Sequence, residues 1–104
     1  MSVLMVCYKS GVRFDEQYYL STHIPLAAAY FTPFGIKDVE VARFSEIGGQ
    51  APVYQVTITV HFESMAGLQE AMANPGLAKV LADVPNYYDG VPDVLVGDTL
   101  ALPT

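Results

Sequence analysis

Two histidines and seven tyrosines are the residues of this sequence best suited to acid–base chemistry. Histidine titrates near neutral pH and can therefore take up or release a proton. Tyr19 precedes His23 by four residues, a spacing that places both side chains on one face of a helix. We take His23 as the candidate catalytic acid or base. Tyr19 is the candidate partner that hydrogen-bonds the ring or donates a proton to a substrate.

Pro25 lies well inside the same helical pattern, two residues after His23. Because proline has no N–H, the carbonyl of Ser21 loses its usual helical partner. We expect a kink there that opens the helix and shapes a pocket wall carrying His23. The alternative is that His23 packs at the seam between helix and sheet, which is the plainer interpretation of these residues taken alone.

The second histidine, His61, alternates along a strand with apolar residues and shares its polar face with Thr57 and Thr59. We interpret it as an interface histidine with satisfied hydrogen bonds, or as a ligand contact if this face lines a cavity. Tyr87 and Tyr88 stand just before a turn, which predicts a mobile cover rather than core. Aromatic side chains with phenolic donors suit a flat apolar ligand. The candidate substrate-binding residues are Tyr8, Tyr18, Phe34, Tyr54, His61 and Tyr87.

Several other kinds of site are not indicated. The one cysteine, Cys7, has no activating neighbour in sequence, and a buried inert thiol is expected. Two histidines and one cysteine show no metal-ligand spacing, and no phosphate-binding glycine pattern occurs, so we expect neither metal nor cofactor. The net charge of −6 disfavours nucleic acid and anionic membrane surfaces as partners. A chain with a single cysteine and no signal-peptide pattern fits the cytoplasm.

The elements that must position these residues follow from hydrophobic periodicity. Strands are predicted over residues 3–8, 36–47, 53–62 and 94–102, the third with the clearest period-two alternation. A first helix is predicted after Asp15, with a stripe of Tyr18, Thr22, Leu26 and Ala29 at helical spacing. A second helical region begins after Ser64 and restarts at Asn74-Pro75.

The predicted element order is βαββαβ within a single domain, residues 1–104. A four-stranded antiparallel sheet with helices on one face, the ferredoxin-like α+β fold, accommodates this order. Hydrophobic residues make up 52% of the chain, and mean hydropathy is +0.31. A chain this small has too little interior for that apolar content. We therefore expect a homodimer in which a second subunit covers the other face of the sheet.

The first helix also carries a family resemblance. Phe14, Tyr18-Tyr19 and His23-Ile24-Pro25-Leu26-Ala27, together with the later Val84-Pro85-Asn86-Tyr87-Tyr88-Asp89, resemble the signature of the EthD family, named for ethyl tert-butyl ether degradation. The resemblance implies a dimeric α+β barrel. Relatives of that barrel include isomerases, polyketide cyclases, dehydratases and cofactor-free monooxygenases. Within the family, the chain resembles RedY-like proteins of prodigiosin-type pigment biosynthesis.

Three functions remain open at this point. The first is a cofactor-independent enzyme that dehydrates, isomerises or cyclises a small cyclic or aromatic metabolite by acid–base chemistry. The second is a cofactor-free monooxygenase that only deprotonates its substrate and leaves the carbanion to react with oxygen. The third is a non-catalytic carrier or accessory protein that binds a pathway intermediate. The sequence does not decide which face of the sheet holds the pocket.

Overall fold

The alternation of apolar and polar residues along the third strand sets the two faces of the sheet. The computed structural model describes residues 1–103. It contains four antiparallel strands, β1 (Ser2–Lys9), β2 (Ile36–Arg43), β3 (Tyr54–Phe62) and β4 (Asp93–Asp98), in the order β2-β3-β1-β4. The predicted ferredoxin-like arrangement is confirmed. The second and fourth strands are shorter than predicted, since each is an edge strand held by only one neighbour.

Two helical regions cover one face of this sheet. The first runs continuously through α1 (Glu16–Tyr18), a π-helical turn (Tyr19–His23) and α2 (Ile24–Phe31), then ends in a 3₁₀ turn (Thr32–Phe34). The second comprises α3 (Met65–Ala73), α4 (Leu77–Ala82) and a 3₁₀ turn (Val84–Asn86).

The predicted helix starts are largely confirmed. Asp15 accepts a hydrogen bond from the Tyr18 N–H, and Ser64 accepts one from the Gly67 N–H, so both cap their helices. Asn74 differs from the prediction, because its side chain accepts from the Gly76 N–H in a turn that precedes α4. It therefore shapes the approach to α4 and does not cap it.

The buried face of the first helical region is offset by one residue from the predicted stripe. Thr22, Leu26 and Ala29 are exposed, whereas a row spaced by four residues faces the core. That row consists of Tyr19, His23, Ala27 and Phe31. In a regular helix each step of four residues overshoots a full turn by about 40°. The wider π-helical turn takes up part of this overshoot and keeps the row on one face.

The helix-facing side of the sheet is apolar and carries the core. Leu4 on β1 and Val60 on β3 are paired neighbours in this layer, and both are almost completely buried. The opposite side has no helix on it and carries Met5, Thr59 and Leu95 across three adjacent strands. Among residues 1–103, no helix has the length and apolar character needed to cross a membrane.

Candidate functional site

The π-helical turn explains how the first helical region accommodates Pro25. The Ile24 N–H donates to the Tyr19 carbonyl five residues earlier, and Pro25 then occupies the second position of α2. Because the helix is continuous here, Pro25 lies in its interior, where a missing N–H normally kinks or disrupts the helix. The proline thus follows a widened turn, a feature that recurs at functional sites. The turn ends at His23, which it places on the buried side.

His23 is paired with an acidic residue that lies 60 positions later. Its Nδ1 atom is 2.9 Å from Oδ2 of Asp83, which is the residue after α4. The side chains of His23 and Asp83 are only 6% and 12% exposed to solvent. The other carboxylate oxygen of Asp83 accepts hydrogen bonds from the Tyr18 hydroxyl at 2.7 Å and the Asn86 amide at 2.9 Å. Both oxygens of this carboxylate are therefore held in place.

The charges of the pair follow from its surroundings. Burial lowers the pKa of His23 below its ordinary value, and the hydrogen bond and charge of Asp83 offset only part of that shift. Burial pushes the pKa of Asp83 upward, but the hydrogen bonds from Tyr18, Asn86 and His23 outweigh it and hold this pKa below its ordinary value. Near neutral pH the pair is thus a carboxylate and a neutral imidazole.

This charge state fixes the tautomer of His23. A carboxylate only accepts hydrogen bonds, so the Nδ1 atom must carry the proton that faces Asp83. The Nε2 atom is then unprotonated. In the described part of the chain it makes no hydrogen bond, and it is not among the fully buried polar atoms without a partner. The Nε2 atom therefore keeps a free lone pair and is not completely enclosed by the described residues.

The ring of His23 forms part of the wall of an apolar cavity of about 310 Å³ between the helices and the sheet. Aliphatic side chains from all four strands and from both helical regions make up most of its lining, including Leu4, Ile58, Val80 and Val94. The cavity thus lies on the helix-facing side of the sheet, which answers the question that the sequence left open. A neutral base in an apolar wall can act on a substrate from which water is largely excluded.

Tyrosines pack around the histidine. The Tyr19 ring stacks on the His23 ring with centroids 5.5 Å apart, and the Tyr87 ring lies 4.5 Å from His23. One expectation was that Tyr19 hydrogen-bonds the imidazole. Instead, the hydrogen bond of the imidazole is made with Asp83. The Tyr8 and Tyr87 hydroxyls are 2.7 Å apart and are hydrogen-bonded to each other.

The expectation that Tyr87 and Tyr88 form a mobile cover is wrong. Both are buried, with 0% and 2% of their surface exposed, and they belong to an aromatic core cluster with Tyr8 and Tyr19. The Tyr88 hydroxyl accepts from the Lys9 N–H, which ties the segment to β1. The turn residues that suggested mobility begin only after this anchored pair.

The remaining predicted site residues are divided between the site and other regions. Tyr18 contacts Asp83 and does not line the cavity. Phe34 packs at the end of the first helical region, against Tyr30. A register shift next to Lys9 pairs that residue with Tyr54, whose hydroxyl donates to Asp93 at 2.8 Å.

His61 also lies away from the cavity. It is on the helix-free side of the sheet, where its Nδ1 atom is 2.6 Å from Asp38. The structure therefore brings together Tyr8, Tyr18, Tyr19, His23 and Tyr87, and leaves Phe34, Tyr54 and His61 outside the site.

Asp83 and Asn86 are the residues that sequence reasoning missed. No local pattern links them to His23, because the contact is made only when the two helical regions pack together. One signal was present: Asp83 follows the last turn of a helix, where the helix dipole disfavours a negative charge. A residue placed against its local electrostatic preference is a candidate for a functional role.

No group of three or more His, Cys, Asp or Glu side chains in residues 1–103 is arranged to hold a metal ion. Cys7 is buried, and burial raises the pKa of its thiol, with the Asp93 charge adding to the shift. This thiol is therefore poorly suited to act as a nucleophile.

Comparison with known proteins gives structural likenesses only. No protein-family model and no curated protein matches the sequence. Among solved structures, an EthD-like protein from Ralstonia eutropha JMP134 superposes with a TM-score of 0.82 at 23% identity, covering 99% of this chain and 95% of that one. SnoaB, a cofactor-independent oxygenase from Streptomyces nogalater, gives 0.71 at 11% identity, with 97% and 94% covered. A dimeric ferredoxin-like protein of unknown function from Jannaschia sp. CCS1 gives 0.64 at 10% identity, with 94% and 98% covered.

These likenesses confirm the resemblance to EthD-like proteins at the level of the fold. Each of the three solved structures is matched over nearly its whole length, so the shared region is the entire domain. At identities below 25% the comparison shows the architecture and carries no residue roles. The narrower resemblance to RedY-like proteins stays a prediction.

Proposed function

We propose that this protein is a cofactor-independent enzyme of secondary metabolism or catabolism that acts on a small cyclic or aromatic compound. The observation that carries this proposal is the His23–Asp83 pair in the wall of an otherwise apolar cavity. A neutral imidazole with one nitrogen held by a carboxylate is a general base whose other nitrogen is ready to accept a proton.

The proposed reaction begins when the Nε2 atom of His23 takes a proton from an acidified C–H or O–H group of the substrate. The Asp83 carboxylate holds the tautomer and stabilises the imidazolium that forms. Return of this proton to another carbon completes an isomerisation, and its delivery to a departing hydroxyl completes a dehydration. Attack of the carbanion on an internal carbonyl, followed by transfer of the proton from the imidazolium to the resulting alkoxide, completes a cyclisation. The same base therefore suits all three reactions.

The proposed assembly is a homodimer formed through the helix-free side of the sheet. Leu95 on this side is 56% exposed, Met5 is its neighbour on β1, and Thr59 is the neighbour of Met5 on β3. A dimeric protein of the same fold supports this arrangement. The single free cysteine supports a reducing, cytoplasmic setting.

The test measures proton abstraction directly and does not need the natural substrate. 2-Tetralone, an aromatic cyclic ketone with an acidic C–H beside its carbonyl, is incubated with the protein in D₂O, and deuterium incorporation is followed by NMR. His23→Gln should lower the protein-dependent exchange rate by roughly 10²- to 10⁴-fold, the usual contribution of a general base. The matched control, His61→Gln, alters the other histidine–aspartate pair and should exchange at the wild-type rate. Equal rates in the two variants would contradict the proposal.

The alternative of a cofactor-free monooxygenase uses the same first step. The structural likeness to the oxygenase SnoaB supports keeping this alternative. Anthrone distinguishes the two outcomes, because its carbanion reacts readily with oxygen. Oxygen uptake that depends on both the protein and His23 would favour the oxygenase. Exchange without oxygen uptake would favour the isomerase, dehydratase or cyclase.

The non-catalytic alternative makes a different prediction. A carrier or accessory protein would bind 2-tetralone without accelerating its exchange. Saturable chemical-shift changes at cavity residues, together with a solvent exchange rate, would favour that function.

A further inference from the structure

The Asp83 carboxylate receives hydrogen bonds from three separate segments of the chain. His23, in the π-helical turn, donates from Nδ1 to one carboxylate oxygen at 2.9 Å. The Tyr18 hydroxyl, at the end of α1, and the Asn86 amide, in the last 3₁₀ turn, donate to the other oxygen at 2.7 and 2.9 Å. The Asn86 amide also lies 3.4 Å from the Tyr18 hydroxyl. The carboxylate is therefore the centre of one connected network.

The π-helical turn allows Tyr18 and His23 to reach the same carboxylate. They are five residues apart, and in a regular α-helix residues at this spacing point about 140° away from each other. The wider turn, in which the Ile24 N–H donates to the carbonyl five residues earlier, closes much of that angle. The same distortion therefore serves both His23 and the residue that holds its partner.

The two neutral donors favour the charged form of Asp83. Burial by itself raises the pKa of this carboxyl group, and the hydrogen bond from Tyr18 is the largest of the effects that lower it, followed by those from Asn86 and His23. The hydrogen bond to Asp83 in turn raises the pKa of Tyr18, so the hydroxyl keeps its hydrogen and donates. The carboxylate thus stays ionised through donors that do not titrate near neutral pH.

These donors also affect the readiness of His23 to accept a proton. The first proton that enters the pair forms an imidazolium on His23, whose charge then neutralises the Asp83 carboxylate. Tyr18 and Asn86 already stabilise that negative charge, so protonation of the imidazole relieves less. The network therefore favours the unprotonated pair, which is the state in which the base is free.

We propose that Tyr18 and Asn86 are positioning residues that hold Asp83 as a carboxylate against His23 and thereby keep the base free of its own proton near neutral pH. This role rests on the proposed function of His23 as the base. Neither Tyr18 nor Asn86 lines the cavity, so both act through Asp83 and not on a ligand.

Other ionisable side chains around the pair do not supply this effect. The rings of Tyr19 and Tyr87 contact the imidazole, but burial raises the pKa of both, and they remain neutral throughout the range of the test. Lys79 precedes the carboxylate by one helical turn and makes no ion pair within residues 1–103. Arg13 is paired with Asp89.

The first measurement titrates the His23 ring by ¹⁵N NMR in the full-length protein, with its resonances assigned from their absence in His23→Gln. The wild-type midpoint should lie below about pH 6.5. Tyr18→Phe should raise it by about half a pH unit, and Tyr18→Phe/Asn86→Ala by about one unit, because each lost donor leaves more of the carboxylate charge to the imidazolium. The matched control, Tyr54→Phe, removes a hydroxyl that donates to Asp93 at 2.8 Å outside the site, and it should titrate like the wild type.

The second measurement follows 2-tetralone exchange against pH in the same variants. The acid limb of the rate should move to higher pH together with the NMR midpoint, since both report protonation of His23. The KM for 2-tetralone should be unchanged, because Tyr18 and Asn86 lie outside the cavity lining. A loss of stability alone would not move the limb in this way.

The outcomes separate this role from the proposed base. A raised midpoint in Tyr18→Phe with no exchange in the wild type would support the positioning role and contradict the base. An unchanged or lowered midpoint in Tyr18→Phe, or an equal rise in Tyr54→Phe, would overturn the positioning role even with exchange intact. Tyr18→Phe keeps the ring that stacks with Tyr87, so this variant decides the question by itself if the double variant does not fold.

Discussion

At the scale of single residues, the site depends on one imidazole whose two nitrogens have different environments. Nδ1 faces Asp83, and Nε2 has no partner within the described chain. His23 and Tyr19 could be predicted as a pair from the sequence, because their spacing is local and helical. Asp83 could not be predicted, because its contact with His23 spans 60 positions and arises only from the packing of two helical regions.

The pKa directions at this pair predict how stability depends on pH. The folded pKa of His23 is lowered, so the unfolded chain binds a proton on it more readily than the folded protein does. The stability contributed by neutral His23 is fully present above its unfolded pKa of about 6.5, and it is lost as pH falls through the folded value. Asp83 has a lowered pKa too, so its contribution is lost in a more acidic range.

Thermal unfolding at a series of pH values from about 7.5 to about 4.5 tests this prediction. The midpoint temperature of wild-type unfolding should decline on acidification. His23→Gln should remove the part of that decline that lies nearest neutral pH. His61→Gln should retain it. A decline that persists in His23→Gln and disappears in His61→Gln would assign the effect to the other histidine and contradict the account.

At the scale of elements, the main feature is the π-helical turn between α1 and α2. A proline inside a helical pattern predicted a distortion beside His23, and the structure has one. The sequence did not predict that the distortion is a widened turn. The predicted stripe assumed a regular helical period, and for that reason it missed the row through Tyr19, His23, Ala27 and Phe31.

Pro25→Ala tests whether this turn positions the base. Alanine restores an N–H that can donate to the Ser21 carbonyl, which allows the turn to close into a regular helix and rotates His23 away from Asp83. Exchange of 2-tetralone should fall at least about tenfold, because small misplacements of a catalytic group are costly. Thermal stability should be unchanged or higher, since alanine favours the helix.

Leu26→Ala is the matched control for that variant. It changes the next residue, whose side chain is 38% exposed, and leaves the backbone donors intact. This control should retain the wild-type exchange rate. A Pro25→Ala protein with full activity and an unchanged His23–Asp83 contact would show that the turn does not position the base.

At the scale of the whole molecule, the fold could be predicted because its signals are repetitive. Period-two alternation along the third strand and the order of elements were sufficient for the ferredoxin-like arrangement. The ends of the edge strands were not predictable, because each depends on a single neighbouring strand. The burial of Tyr87 and Tyr88 was missed for a related reason, since the cluster that buries them is assembled from distant segments.

The helix-free side of the sheet carries the prediction of a homodimer. Leu95→Lys places a charge in the middle of the proposed interface, where burial without a partner is unfavourable. Light scattering should give twice the chain mass for the wild type and shift toward the monomer for this variant. Val91→Lys, at a residue that is 83% exposed and lies outside the strands, should leave the dimer intact. A wild-type monomer, or equal dissociation in both variants, would contradict the proposed interface.

The pH profile of 2-tetralone exchange tests the central claim most directly, because it reports the free base itself. In the wild type, the exchange rate should rise with pH in a single limb that lies below about pH 6.5, since the pKa of His23 is lowered. The rate should then remain level through neutral pH. His23→Gln should abolish this limb and leave only the solvent rate. A limb of unchanged position and height in His23→Gln would show that another group removes the proton, and the account of the site would be wrong.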